Sequence, residues 1–390
     1  MADLRATVNG IRFSNAVLPA AGPNVRSARM MLGAATGGAG GVVSKTLSLR
    51  PARDPRPTIA RTSNRGIMNC ETWSESAMEE FIEELKVVKT NPQVLEKHIP
   101  LVVSIGYTPQ EVSRLGAIIE REVHPDAFEF STHYTGKSVQ PLLDVAKALR
   151  DAVQCPIWMK VSPNFPDMRE LAVAASALVD GFVAINSFGP VLDFDMETGA
   201  PLLGSGDGQG WLSGPPIMPI ALRIVHQLAA LQEKPVIGVG GISSGADALK
   251  FIMAGASLVQ VCSAALNHGH GVYGKIAKEM DVWLDGHDYR SLDQIRGLYG
   301  RKLLERKAFR ELPVMAIDEE QCTGCSACVG RCIHGALSMR PAGPDGGGGI
   351  SKKEKGSTDH PIAQVKPELC IGCGFCRSFC AYSAMALRES

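Results

Sequence analysis

Residues 235–263, PVIGVGGISSGADALKFIMAGASLVQVCS, leave this chain little freedom in how it folds. A short apolar, β-branched run at 235–239 stops at Gly240-Gly241. Ser244 can then cap a helix whose apolar positions Ala248, Leu249, Ile252 and Met253 follow a helical period, and Gly255 closes it. A second buried strand at 257–261 ends on Cys262-Ser263. Two strands joined by a helix run parallel, so both small-residue ends fall on one rim, where backbone N–H groups can approach an anion closely. In (β/α)8 barrels the loops after the seventh and eighth strands are where phosphate binds. An ordinary βαβ unit without a ligand is the alternative reading.

The preceding residues repeat that unit. ATVNGIRF at 6–13 alternates in period two around Asn9-Gly10, a hairpin signal, and reads as a plug for the bottom of a barrel. Further strands are expected at 16–20, 41–45, 101–104, 127–131, 157–161 and 181–185. Helices are expected at 28–32, 74–89, 110–120, 141–153, 168–178, 219–230 and 273–284. Eight strand–helix alternations point to an α/β fold, a (β/α)8 TIM barrel over residues 1–312, with a doubly wound open sheet as the competitor. Two connections are long. Residues 46–70 carry Arg50, Arg53, Arg56, Arg61 and Arg65 against Asp54 alone and read as a solvated loop, or else as an anion-binding lid. Residues 189–214, rich in glycine and proline, are long enough to be a functional lid.

Beyond residue 312 the alternation stops. Cys322-x2-Cys325-x2-Cys328-x3-Cys332 and Cys370-x2-Cys373-x2-Cys376-x3-Cys380 are two copies of the bacterial ferredoxin run and take eight of the 11 cysteines. Residues 313–390 therefore read as a small α+β domain for two [4Fe–4S] clusters, with a low-complexity insert at 341–360. The fourth cysteine of such a run ligates the other cluster. Cys332 is thus expected with Cys370, Cys373 and Cys376, and Cys380 with Cys322, Cys325 and Cys328. Ile333 and Ala381 stand where proline often follows the fourth cysteine. Zinc ribbons are the alternative, and four cysteines per run, twice, argue against them. Cysteines grouped in this way suit metal in a reducing compartment rather than disulfides. With no basic-then-apolar leader and no apolar run of membrane-spanning length, the expected location is the cytoplasm, away from membranes. Lys+Arg and Asp+Glu number 40 each, so no net field favours nucleic acid.

VVSKT with Lys45, MKVSPN with Lys160, AINSFG with Asn186 and Ser187, WLSGPPIMPIALR with Gly214, GVGGISSGADAL with Gly240 and Gly241, and VQVCSA with Cys262 and Ser263 occur in this order. In these residues the chain resembles the dihydroorotate dehydrogenase family of flavin barrels. Its arrangement is similar to that of dihydropyrimidine dehydrogenases, where a two-cluster ferredoxin domain follows the barrel. The resemblance covers nearly the whole chain and implies FMN in the phosphate site. It places Ala20, Ala21 and Gly22 against the ring and Lys45 and Lys160 near its polar edge. Thr46, Ser131, Ile185, Gly214, Gly240, Gly241, Cys262 and Ser263 complete the implied cofactor contacts, and Asn69, Asn186 and Ser187 the implied substrate contacts. A lysine beside the N1 and O2 edge would stabilise a reduced, anionic ring. Flavin chemistry at carbon moves two electrons and clusters carry one each, so the pair forms an electron relay.

The segment EFSTHYTG at 129–136 departs most from that family. Members that handle pyrimidines carry an asparagine-rich stretch here, with a cysteine or serine acting on the substrate's proton. In this chain Ser131 and Gly136 replace two amides and Tyr134 falls at the cysteine or serine position, while Asn69 and Asn186 remain. Dihydroorotate and uracil are therefore expected to be poor substrates, because their polar groups would be buried unpaired. Tyr134, or else His133 beside it, is the candidate proton donor, with Lys45 the third catalytic candidate; the bland alternative is that Tyr134 packs and His133 is a satisfied core histidine. The expected function is reduction of an activated C=C bond next to a carbonyl in a small-molecule substrate. Electrons would be exchanged with a ferredoxin, a flavodoxin or an NAD(P)H-oxidising flavoprotein subunit, in a homo-oligomer or a hetero-oligomer. Dihydropyrimidine or dihydroorotate dehydrogenation, and an electron-transfer subunit with no substrate of its own, remain open.

Overall fold

A computed structural model describes residues 2–131, 136–231, 233–306, 308–309, 311–341 and 360–389, and the chain divides into two compact units, residues 1–304 and 305–390. In the first unit eight parallel strands form the barrel: β1 (Val17–Pro19), β2 (Val42–Val43), β3 (Leu101–Ile105), β4 (Ala127–Ser131), β5 (Ile157–Val161), β6 (Gly181–Ala184), β7 (Val236–Val239) and β8 (Leu258–Val261). Their order around the sheet is β1-β8-β7-β6-β5-β4-β3-β2. At the seam between β1 and β2 the amide of Gly40 donates to the carbonyl of Val17 at 2.9 Å. Strands β3, β4 and β5 are buried along their whole length, as near-continuous apolar runs must be when helices cover one face and the barrel core fills the other.

The helices form where capping and periodicity coincide. Pro109–Val123 starts at a capping box between Thr108 and Glu111 and buries Val112, Leu115, Ile119 and Val123. A Cβ on its Gly116 would come within 2.7 Å of Leu149 Cδ1, so that glycine lets the helix lie close against Gln140–Ala152. The helix after β7, Gly245–Ala254, is capped by Ser244, whose hydroxyl accepts from the amide of Asp247 at 3.2 Å, and Gly255 ends it at φ +119°. At the bottom of the barrel Ala6–Val8 and Ile11–Phe13 pair as a hairpin, and Asn9 in its turn accepts from the indole of Trp158 at 2.8 Å. Among the described residues no helix is long and apolar enough to cross a membrane.

The first of the two long connections differs from expectation. Residues 46–70 are not a solvated loop: Leu47, Ser48 and Thr58 are buried, and Ile59–Arg61 and Ile67–Asn69 are strands. They pair with Gly210–Ser213 and Phe188–Val191, from the other excursion, in a four-stranded antiparallel sheet. Neither excursion shows the alternation of a long strand, because each strand is three or four residues, and the pairing that joins the two excursions, Ile67–Asn69 with Gly210–Ser213, is far apart in sequence. Short helices at Pro92–Glu96, Ser263–His268 and Leu298–Glu305 also escaped the sequence reading.

The second unit is a ferredoxin-like region whose described residues form short antiparallel strand pairs joined through 3-10 turns. Val314–Ile317 pairs with Met385–Arg388, and Leu337–Arg340 with Ile362–Val365. Its core is thin: Met315, Leu337 and Met385 around Cys376 on one side, Ile362, Ala363 and Ala384 around Cys322 on the other.

Candidate active site

The carboxyl ends of the barrel strands open into a cleft of about 870 Å³. Ala20, Ala21 and Gly22 reach it from β1, Lys45 and Thr46 from β2, Ser131 from β4 and Lys160 from β5. Ile185, Asn186 and Ser187 follow β6, Gly240 and Gly241 follow β7, Cys262 and Ser263 follow β8, and Asn69 and Gly214 come from the antiparallel sheet. The structure thus brings these flavin-facing and substrate-facing candidates to one place. Tyr134 and His133 lie outside the described residues.

One end of the cleft is built of backbone. Gly214, Gly240 and Gly241 have φ of +95°, +128° and +84°. A Cβ on Gly241 would stand 2.7 Å from the carbonyl oxygen of Gly214, and one on Gly214 would stand 3.6 Å from Ser263 Oγ. Only glycine accommodates both the dihedral angle and the close approach at Gly241. Among the described residues the amides of Gly240, Gly241 and Ser263 have no protein acceptor, which leaves them for an anion.

The deeper part is polar and buried. Lys160 Nζ donates to Glu129 Oε1 at 3.1 Å, and Gln260 Nε2 donates to Glu129 Oε2 at 2.7 Å. The lysine side chain is 5% exposed and the glutamate fully buried. Gln260 lines the cleft, and its Oε1 is buried without a hydrogen-bond partner. A buried acceptor in that state is costly unless a ligand supplies a donor, and an isoalloxazine ring carries an N–H. Together with the glycine cradle, this orphaned oxygen fits FMN. Closer to the rim, Lys45 Nζ donates to Glu71 Oε2 at 2.8 Å, and Thr46 and Ser104 hydroxyls hydrogen-bond at 2.9 Å.

The substrate-facing amides are partly engaged. Asn69 Nδ2 donates to the Trp211 carbonyl at 3.2 Å, Asn186 Nδ2 donates to Ser131 Oγ at 3.1 Å, and Asn186 Oδ1 accepts from the Ser187 amide at 2.9 Å. Cys262 donates from Sγ to Asn24 Oδ1 at 3.1 Å, and Asn24 Nδ2 donates to the buried hydroxyl of Tyr273 at 3.0 Å. Burial pushes the Cys262 thiol up to about 11, against the pull of Lys160 and Lys45, so near neutral pH it is a hydrogen-bond donor and not a thiolate.

Glu71, Glu129, Gln260 and Asn24 were not among the sequence candidates. Two of them left a signal: Glu129 is the one charge in the strand AFEFS, and Gln260 the one polar residue in LVQV, where a buried polar side chain requires a partner. Glu71 and Asn24 left none beyond their nearness to Asn69 and Gly22.

In the second unit Cys322, Cys325, Cys328 and Cys380 line one cavity, walled by Ile317, Met339 and Ala363. Cys332, Cys373 and Cys328 lie near enough to Cys376 to act on it electrostatically, and Cys328, Cys332, Cys370 and Cys380 all pack against the same core as Cys376. Backbone amides point at sulfur in matching places: Ala336 at Cys332 Sγ and Ala384 at Cys380 Sγ, each at 3.3 Å, and Met315 at Cys370 Sγ at 3.4 Å. Among the described residues no three His, Cys, Asp or Glu side chains converge as a single metal ion would need, whereas a four-iron cube spreads its ligands more widely.

These features agree with what the chain is similar to. The family model described as dihydroorotate dehydrogenase matches residues 3–284, and that described as a 4Fe-4S binding domain matches residues 315–338. The catalytic subunit of dihydroorotate dehydrogenase B (NAD(+)) from Methanothermobacter thermautotrophicus is 32% identical over 306 residues, covering 76% of this chain and 98% of the relative. The subunit of the same name from Pyrococcus abyssi is 33% identical over 307 residues, with 76% and 98% covered. That from Methanosarcina mazei is 34% identical over 308 residues, with 76% and 95% covered. With nearly all of each relative matched and the barrel cleft in place, the chain belongs to the dihydroorotate dehydrogenase family, as an FMN-dependent oxidoreductase acting on CH–CH groups that also carries a 4Fe-4S binding domain.

Proposed function

We propose that this enzyme reduces a carbon–carbon double bond activated by an adjacent carbonyl, with electrons entering through two [4Fe–4S] clusters held by residues 313–390 and FMN held by residues 1–312. The observation that supports the reading most is the cavity lined by Cys322, Cys325, Cys328 and Cys380, in a chain whose sequence holds a second four-cysteine run and which also has the barrel cleft. Bound FMN supplies two-electron chemistry at carbon and one-electron exchange with clusters. The chain's own groups do the rest. Gly240, Gly241, Gly214 and Ser263 would hold the phosphate, Gln260 Oε1 would accept a hydrogen bond from the cofactor, and Lys160, fixed by Glu129, would supply a cation beside it. Asn69 and Asn186 orient the substrate carbonyl, and Tyr134 or His133 holds the proton delivered to carbon. Dihydroorotate and uracil are poor substrates in this reading, since Ser131 occupies Asn186 where a second amide would read a pyrimidine. A ferredoxin, a flavodoxin or an NAD(P)H-oxidising subunit supplies the electrons.

The test is anaerobic. Purified protein should contain FMN and about eight iron atoms per chain, and after photoreduction its flavin should be reoxidised by at least one member of a panel of α,β-unsaturated amides, lactams and ketones. Reoxidation by none of them, or zinc in place of iron, overturns the proposal. The relatives' names favour a second reading, oxidation of dihydroorotate. Bleaching of the oxidised flavin by dihydroorotate would select it.

A further inference from the structure

We propose that Glu71 sets the charge of the substrate, closing the cleft to carboxylates and reserving it for an uncharged carbonyl compound. The inference rests on the reading of the cleft as the site of double-bond reduction and names the class of molecule reduced there. Glu71 follows two residues after Asn69 and lines the same cleft as Lys45, Asn69 and Asn186, with a side chain only 11% exposed. Both its oxygens are held from the protein side: Oε2 accepts from Lys45 Nζ at 2.8 Å, and Oε1 accepts from Thr58 Oγ1 at 3.3 Å. Thr58 Oγ1 accepts in turn from Arg56 Nη1 at 3.1 Å, so the carboxylate sits at the end of a fixed chain rather than on a free arm.

The charge balance follows from the pairs. Among the described residues the cations that line the cleft are Lys45 and Lys160, and each has its own carboxylate, Glu71 and Glu129. A substrate carboxylate would find no spare cation among them and would enter a poorly solvated cleft beside Glu71. With Lys45 already neutralised by Glu71, an entering carboxylate gives up hydration without gaining a cation, and its repulsion from Glu71 opposes what attraction Lys45 retains. A carbonyl oxygen meets no such obstacle. Each of Asn69 and Asn186 has one amide hydrogen engaged, by the Trp211 carbonyl and by Ser131 Oγ, and an NH2 group has a second to give. The site is therefore built to donate hydrogen bonds to a neutral acceptor and to repel an anion of the same shape.

A matched pair of non-reacting ligands tests this on FMN-loaded protein: orotate and its neutral carboxamide, with Kd read from the change they cause in the oxidised flavin spectrum. The parent should bind the carboxamide at least tenfold more tightly than orotate. Glu71→Gln should tighten orotate about tenfold to a hundredfold and leave the carboxamide within about twofold, while Glu71→Asp, which keeps the charge, should keep the discrimination. Retention of the flavin spectrum shows that each variant is folded and loaded. A carboxamide that binds the parent no more tightly than orotate, or an unchanged ratio in Glu71→Gln, overturns the inference. Because these ligands bind without turnover, charge selection can hold even if no double bond is reduced, and reduction can be shown even if charge selection fails.

Discussion

In residues 1–304 the groups proposed to meet FMN are held by the barrel core itself. Lys160 is fixed by Glu129, Glu129 by Gln260, and the glycine turns after β7 are set by the strand and helix that flank them. In residues 305–390 the candidate ligands are a large part of the core themselves. Cys322 and Cys376 are among its few buried side chains, and Cys328, Cys332, Cys370 and Cys380 pack around them. The one unit is a preformed receptacle and the other is completed by what it binds. A core of four-residue strands and a handful of apolar side chains buries too little surface to fold on its own strength.

The strongest way to break that contrast is to remove the clusters. Anaerobic chelation of iron should unfold residues 305–390, seen as rapid proteolysis confined to that span and loss of part of the far-ultraviolet circular dichroism, while residues 1–304 keep their FMN and their thermal transition. Cys380→Ser should abolish only the cluster that also uses Cys322, Cys325 and Cys328. A cysteine-rich unit that stays protease-resistant without iron would place its stability in the polypeptide, and the two units would differ in degree only.

A smaller effect probes the barrel side. Glu129→Ala leaves Lys160 buried and uncompensated and removes the partner of Gln260, which should cost about 3–5 kcal/mol in denaturant unfolding. Glu129→Gln should cost less, because its one carbonyl oxygen can still accept from Lys160 while its amide can donate to Gln260 once that side chain turns its Oε1 towards it. If Glu129→Ala unfolds at the same denaturant concentration as the parent, the pair is not what holds the cleft open.

How far each unit could be read in the sequence follows the same contrast. Cysteine spacing is local, so two candidate ligand runs can be read from residue numbers alone, and Cys322, Cys325, Cys328 and Cys380 of the crossed reading line one cavity. Strands β4 and β5 were legible to the residue because burial on both faces writes a mostly apolar run, interrupted by Glu129 and Ser131 in one and Lys160 in the other. What pairs across the fold was not. Glu129 and Gln260 each stood out as a lone polar residue in an apolar strand, yet they lie 131 positions apart and nothing in one dimension says they meet. Likewise Asn69 faces Trp211 in a sheet assembled from two excursions that read as loops. Lys45 was legible as a strand-end cation and its partner Glu71 was not, so the charge of the cleft was visible by half. Tyr134 and His133 fall outside the described residues and keep the standing of sequence candidates.

The finest distinction between the units concerns their thiols. Burial pushes Cys262 up to about 11, and burial reinforced by Glu120 pushes Cys155 up to about 12, both above the ordinary thiol value near 9. A thiol raised in the fold contributes stability that is complete below its unfolded value and is lost as pH climbs through its folded one. For Cys262 that window runs from about 9 to about 11. At pH 8 Cys155 and Cys262 should resist iodoacetamide, while the cysteines of residues 305–390, once stripped of iron and unfolded, should react as free thiols do. Site-resolved mass spectrometry of alkylated peptides reads the difference, and raising the pH towards 11 should bring Cys262 into reaction before Cys155. If Cys262 is alkylated at pH 8 as fast as the cluster cysteines of the iron-free protein, its proton is not held by the buried Asn24 and the cleft is wetter at β8 than the hydrogen bond from Cys262 to Asn24 requires.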